Sequence, residues 1–345
     1  MFKTTGKKEF EVIGMGEVML RLSPEGKERI SQSKTFEKNA GGSELNVVSG
    51  ISQLGARTGI ITKLPDNEIG RFIKNQIRYS GVSDDYIIYD KTGAKRLGIY
   101  YYEKGAYPRL PVVVYDRANA SFTGIGLDEI NSDIYGSCNI FHVSGITLAL
   151  GEKLRENTIE LIKRFRDAGA VISFDVNYRM SLWDEETAKS VIERILPYIG
   201  ILFVSEETLR RMFSQTGELK EIHKRFSEKY PQLKIIASTE RKVISATKHS
   251  FGSLMYDCEE NRFFEEPPYE NIEVVDRLGS GDAYVGGALF GLVTFGNIED
   301  AVRYGNAMAA VKSTIPGDMP VCDIADINRV IASHSGNGTG SEMIR

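Results

Sequence analysis

The sequence predicts an α/β fold: a mostly parallel central sheet covered by helices on both faces, with a small separate β-sheet standing off it. Short apolar runs alternate with amphipathic stretches through most of the 345 residues, the pattern of a parallel sheet whose crossovers are helices. Two stretches, 17–38 and 85–117, break that alternation and read as strands with no helix between them. The length accommodates one large α/β domain with an appendage.

The elements follow in order. A charged segment, Met1 to Glu11, runs into Val12-Ile13-Gly14-Met15-Gly16, and a strand is expected over 10–15. Gly41-Gly42 opens a helix over 43–54 that Gly55 stops. A strand over 58–63 and a helix over 67–79 come next. Residues 85–117 hold Leu97-Gly98-Ile99-Tyr100-Tyr101-Tyr102 and Val112-Val113-Val114-Tyr115, extended runs rich in aromatic and β-branched residues. Further strands are expected over 138–143, 170–176, 200–204, 233–238, 242–247 and 252–257. Helices are expected over 151–168, 184–196, 206–213, 218–229, 281–295, 298–313 and 323–332. The division is then 10–16, 39–84 and 118–333 for the main domain, with 17–38 and 85–117 forming a β lid. The Gly/Ser-rich tail, 334–345, is expected to be disordered.

Composition narrows the function. A 41% hydrophobic and 26% charged chain is ordinary for a globular protein, and a net charge of -4 offers no basic surface for nucleic acid or anionic membrane. The three cysteines (Cys138, Cys258, Cys322) are widely spaced without a CxxC pair, which argues against a disulfide framework or structural zinc and fits a reducing cytosol. The four histidines show no metal-ligand spacing. No apolar signal-peptide core appears, and Val285 to Gly296 is too short and glycine-rich to span a bilayer. A cytoplasmic location is expected.

The most informative segment is Asp276-Arg277-Leu278-Gly279-Ser280-Gly281-Asp282, leading into Ala283-Tyr284-Val285-Gly286-Gly287. It reads as a glycine-rich loop opening a helix, where backbone N–H groups approach a ligand closely and negative charge is favoured. An aspartate placed there repels a phosphate, which makes sense if Asp282 takes a proton from a hydroxyl while the N–H groups hold the phosphoryl group. A first-turn aspartate is also a common cap and dipole partner. Far upstream, Ala40-Gly41-Gly42-Ser43-Glu44-Leu45-Asn46 places two glycines where a polyol can lie against bare backbone, with Asn46 offering donor and acceptor. A tight turn is the plainer reading.

The two elements together, at opposite ends of the chain, resemble the paired signatures of the ribokinase-like (PfkB-type) carbohydrate kinases over about residues 10 to 333. The resemblance implies the ribokinase-like fold and a kinase using ATP and Mg²⁺. It implies Asp282 as general base, with Gly279, Ser280 and Gly281 as the anion hole. Gly41, Gly42 and Asn46 are then substrate contacts, and the lid covers the sugar and often forms a dimer contact.

Three further stretches refine this. Asp175-Val176-Asn177-Tyr178-Arg179 follows a buried strand, so Arg179 stands at a carboxyl strand end, where open α/β sheets bind ligands. Its planar fork suits a carboxylate or phosphate, and a surface ion pair is the plainer reading. Tyr115-Asp116-Arg117-Ala118 closes the second lid strand, and Tyr115 and Arg117 suit a sugar face and an acidic group. Both stretches resemble the 2-keto-3-deoxygluconate kinase branch, in which this arginine faces the substrate. By alternation Tyr100 and Tyr102 share a face, and the family pattern turns Tyr100 toward the sugar. In the same branch Gly317-Asp318 reaches a substrate hydroxyl, while a turn aspartate is the alternative.

On the nucleotide side, Ser205 stands where many relatives carry the Asn of Asn-x-x-Glu, and Thr208 where they carry the Glu. Ser238 and Thr239 follow a strand and are expected to border the phosphates, and Asn306 corresponds to a position beside the adenine. No metal-ligating side chain is assigned. The chain has no Gly-Lys-Ser/Thr P-loop, and Met19 replaces the third glycine of a dinucleotide fingerprint.

The resemblance therefore implies ATP-dependent phosphorylation of 2-keto-3-deoxygluconate at its 6-hydroxyl, in a homo-oligomer formed through the lid. The alternatives are a kinase of fructose, ribose or a related sugar acid, and a sugar-responsive binding protein that kept the fold and lost turnover.

Overall fold

The computed structural model describes residues 8–245 and 247–336. It opens with β1 (Phe10–Met15), β2 (Met19–Pro24) and β3 (Phe36–Gly41). Next come α1 (Ser43–Gln53), β4 (Thr58–Pro65), α2 (Glu68–Tyr79) and β5 (Ile87–Asp90). They are followed by β6 (Ile99–Glu103), β7 (Val112–Asp116), β8 (Cys138–Ser144), α3 (Gly145–Ala149), α4 (Glu152–Asp167) and β9 (Val171–Asp175). The middle of the chain adds α5 (Glu185–Ile195), β10 (Ile201–Phe203), α6 (Glu206–Arg211) and α7 (Leu219–Lys229). Last come β11 (Ile235–Ser245), β12 (Lys248–Asp257), β13 (Arg262–Glu265), β14 (Tyr269–Glu273), α8 (Ser280–Phe295), α9 (Ile298–Ser313) and α10 (Ile324–His334).

The large sheet runs β13-β12-β11-β10-β9-β8-β1-β4-β5, with β14 paired to β12. Every pairing from β11 across to β5 is parallel. Buried on both faces, such strands carry continuous apolar runs, and every residue of β8 is buried. Alternation sends Val12 to one core with α1, α8 and α9, and Ile13 to the other with α4 and α5. On α5 the buried Ala188, Val191, Ile192 and Ile195 fall on one helical face, and Asp184 caps the start by accepting from Thr187 N–H at 2.8 Å. Glycines let α8 lie hard against its neighbours: a Cβ at Gly286 would meet the Val47 carbonyl of α1 at 2.8 Å. The small sheet has the order β3-β2-β6-β7.

Four expectations are corrected. The strands expected over 233–238 and 242–247 are one strand, β11, which pairs antiparallel with β12 along its length and whose outer half extends beyond the parallel layer. Residues 87–90, expected in the lid, form β5 and extend the large sheet beside β4. Strands β13 and β14 close the far edge, where none was expected. The expected tail begins too early: His334 is the last residue of α10, its ring stacked on Tyr269 at 3.8 Å and its Nε2 donating to the Pro267 carbonyl at 2.8 Å. The rest of that tail, from residue 337, lies outside the described residues.

Candidate active site

The N-terminus of α8 organises the site. Gly279 is its N-cap at φ 78°, a left-handed conformation that favours glycine, and a Cβ there would collide with the Asp318 carbonyl. The Ser280 N–H closes a turn onto the Arg277 carbonyl at 3.4 Å. Among the described residues the N–H groups of Gly279, Gly281 and Asp282 make no hydrogen bond, so the helix start presents free donors.

Asp282 stands in that first turn. Its Oδ1 accepts from the Ser43 hydroxyl at 2.8 Å and its Oδ2 from the Asn46 amide at 2.7 Å. Both donors come from α1, which packs along α8, so the two glycine-rich segments from opposite ends of the chain meet. Burial pushes the Asp282 carboxyl up, and the hydrogen bonds from Asn46 and Ser43 pull it back down. Asp175, at the end of β9, is pushed up to about 7 by burial and by the neighbouring Asp282 charge.

Two hollows flank Asp282. A small one of about 100 Å³ is lined by Gly42, Asn46, Tyr100, Tyr115, Arg117, Arg179, Gly279, Asp282 and Asp318, so most of the expected sugar contacts converge there. Gly41 stands just behind its wall, where a Cβ would strike the Tyr100 hydroxyl and Asp318. An open cleft of about 500 Å³ lies on the other side, lined by Asp175, Arg179, Ser205, Glu207, Thr239, Gly281 and Tyr284. Arg179 lines both.

The arginines differ. Arg117 is paired with Glu17, its Nε donating at 2.9 Å, whereas the Arg179 guanidinium makes no hydrogen bond or ion pair among the described residues, although the Arg179 carbonyl accepts from Leu182 N–H at 3.0 Å. Tyr100 is buried as alternation predicts, sharing a face with Tyr102, and its hydroxyl donates to Asp318. Tyr115 is exposed at the rim.

Two nucleotide contacts are corrected. Ser238 faces the other side of β11 from the cleft-lining Ala237 and Thr239, its hydroxyl donating to the Val204 carbonyl at 2.7 Å and meeting His223 at 2.9 Å. Asn306 is fully buried in α9; its Oδ1 accepts from Ser253 at 2.8 Å and its amide donates to Glu266 at 3.2 Å. Neither lines the cleft. Ser205 does, while capping α6 by accepting from Thr208 N–H at 3.1 Å.

Sequence reasoning missed a buried layer under the loop. Arg21, on β2, bridges Asp276 at 2.5 Å and Asp318, with its guanidinium 4.6 Å from the Tyr102 ring centre. Lys312, fully buried on α9, donates to the carbonyls of Asp276 at 3.3 Å and Ile315 at 3.1 Å. These cations tie the small sheet, the glycine loop and the Asp318 turn into one body. The only sequence signal for Arg21 is a basic residue inside an apolar strand.

The arrangement sets a carboxylate, free N–H donors and an unpaired arginine around one point between two hollows. It is suited to moving a phosphoryl group from an anionic ligand in the cleft to a hydroxyl in the small hollow.

Comparison with known proteins agrees. The family model for pfkB family carbohydrate kinases matches residues 7–322. A 2-dehydro-3-deoxygalactonokinase of Haloferax volcanii is 34% identical over 321 residues, covering 93% of this chain and 96% of that protein. The crystal structure of a 2-dehydro-3-deoxygluconokinase from Thermotoga maritima superposes with a TM-score of 0.88 at 32% identity, over 94% of this chain and 98% of that one. An uncharacterized sugar kinase from Pyrococcus horikoshii, solved in complex with ATP, shares the fold with a TM-score of 0.74 at 22% identity, over 92% of this chain and 99% of that one. This chain belongs to the pfkB family of carbohydrate kinases.

Proposed function

We propose that this kinase transfers the γ-phosphoryl group of ATP to the 6-hydroxyl of 2-keto-3-deoxygluconate. The observation that carries the proposal is Arg179, an unpaired cation lining both hollows beside Asp282. Its charge favours the ionised forms of Asp282 and Asp175, but no carboxylate bonds its guanidinium; a sugar acid supplies that bidentate partner and a neutral sugar does not. The relatives from Haloferax volcanii and Thermotoga maritima are named for keto-deoxy sugar acids of the galacto and gluco series, which supports the class and leaves the epimer to experiment.

In the proposed step, the sugar lies in the small hollow with its primary hydroxyl toward Asp282. The hydroxyl oxygen bonds to the γ-phosphorus as the bond to the ADP oxygen breaks, and its proton passes to Asp282. The free N–H groups of Gly279, Gly281 and Asp282 hold the negative charge that develops on the phosphoryl oxygens. Asn46 Oδ1, buried without a partner, accepts from a sugar hydroxyl, and Asp318 and Tyr100 meet another. Ser205, Thr239 and Gly281 border the nucleotide. Mg²⁺ bound with the nucleotide would neutralise phosphate charge; Glu207 lines the cleft beside Ser205 and Thr208 but is ion-paired with Arg211 at 2.9 Å, so no side chain among the described residues is assigned to hold the ion.

The outer face of β7 exposes Val112 and Val114, and we propose that a second copy of the chain covers it. The direct test of activity is ADP release with 2-keto-3-deoxygluconate, its galacto epimer, fructose and ribose, each with ATP and Mg²⁺. Preference for either sugar acid supports the class, and the ranking of the two epimers assigns the substrate.

A further inference from the structure

Asp282 is not held by α1 alone. The Ser43 hydroxyl that donates to Asp282 also accepts a hydrogen bond, from the Asn177 amide at 2.9 Å. A serine hydroxyl has one proton. With the amide N–H directed into its lone pair, that proton has a single productive direction, toward Asp282 Oδ1. Asn177 is itself fixed. It follows β9 with φ 36°, a left-handed conformation that Asn tolerates better than most residues, and its N–H donates to Asp175 Oδ1 at 3.1 Å. The backbone thus adopts an uncommon conformation that aims this amide at Ser43.

We propose that Asn177 and Ser43 are a positioning pair for the base: Asn177 orients the Ser43 hydroxyl, and the oriented hydroxyl holds the Asp282 carboxylate in its proton-accepting form. The inference rests on reading Asp282 as the base. The need for such a pair follows from the surroundings. The carboxylates of Asp175 and Asp318 and the burial of the site disfavour charge on Asp282. Arg179 from the loop after β9 and Lys312 from α9 favour it, as does Asn46 from α1. A hydroxyl free to rotate would turn its lone pair toward the carboxylate part of the time. The Asn177 amide prevents that.

The test is the pH profile of kcat/KM for the sugar acceptor in the wild type, Ser43→Ala, Asn177→Gly, the double variant and Asp282→Asn. Glycine is chosen at 177 because it accepts the positive φ and so removes only the amide. Ser43→Ala should move the acid limb up by about half to one pH unit, so activity falls most on the acid side and approaches wild type at high pH. Asn177→Gly should move it the same way by less, and the double variant should match Ser43→Ala, because Asn177 acts only through Ser43. An acid limb unmoved in Ser43→Ala would overturn the proposal. So would an Asn177→Gly effect that persists undiminished without the serine. Failure of the underlying reading looks different: Asp282→Asn would then keep both turnover and the acid limb. Thermal melts of each variant separate misfolding from these outcomes, since loss of fold lowers activity without moving the limb.

Discussion

The Asn46 amide donates to Asp282 Oδ2 at 2.7 Å, across a sequence separation of 236 residues. That bond joins the two glycine-rich segments into one site and places the candidate base where α1 and α8 begin side by side.

Replacing Asp282 with Asn keeps the shape and removes the base. Turnover should fall by roughly 10²–10⁴ with sugar binding little changed, measured by steady-state kinetics and calorimetry. Near-normal turnover would show that proton removal does not depend on this carboxylate.

Two neighbouring glycines should behave differently. At Gly281 an added Cβ meets nothing within 4 Å, so Gly281→Val should melt like the wild type while obstructing the phosphoryl group and abolishing turnover. At Gly279 the positive φ and the Asp318 carbonyl leave no room, so Gly279→Val should lower Tm as well. Equal Tm losses would mean that the loop's glycines serve folding alone.

Arg21→Met leaves Asp276 and Asp318 buried without their cation. Breaking such a pair costs on the order of 3–5 kcal/mol, and chemical denaturation should show it. A variant as stable as wild type would mean that Lys312 alone suffices under the loop.

Asp175 gives a pH-dependent stability of known sign. Burial and the neighbouring Asp282 charge hold its folded pKa up at about 7, above the ordinary aspartate range, so its protonated form favours the fold. Its contribution is present at low pH and is lost as pH rises through about 7. Asp175→Asn should therefore raise Tm above neutrality and leave it unchanged in acid. A gain confined to acid would reverse the assignment.

Much of this was legible in the sequence, for physical reasons. The parallel strands are apolar throughout because both faces are buried, and the glycine pairs mark where backbone must approach closely. Short, half-buried β5 carries too little pattern to be assigned to a sheet. The break expected between 238 and 242 is the polar Glu240-Arg241-Lys242, which is compatible with a strand because that half of β11 is exposed. Ser238 was legible and was misassigned: strand alternation with Ala237 and Thr239 turns it away from the cleft. Arg21 was not. Its partners lie 255 and 297 residues away, and only the assembled fold turns an apparent solvent face of β2 into a buried one.

The central claim, that Arg179 reads the charge of a sugar acid, is tested most directly by one comparison: kcat/KM of wild type and Arg179→Met on 2-keto-3-deoxygluconate and on fructose. The wild type should prefer the acid. The variant should lose roughly 2–5 kcal/mol of transition-state binding for the acid while barely changing on fructose. Both substrates meet the same protein, so general damage cancels. Equal losses on both would remove Arg179 as the acid reader, and a wild type that prefers fructose would contradict the sugar-acid assignment outright.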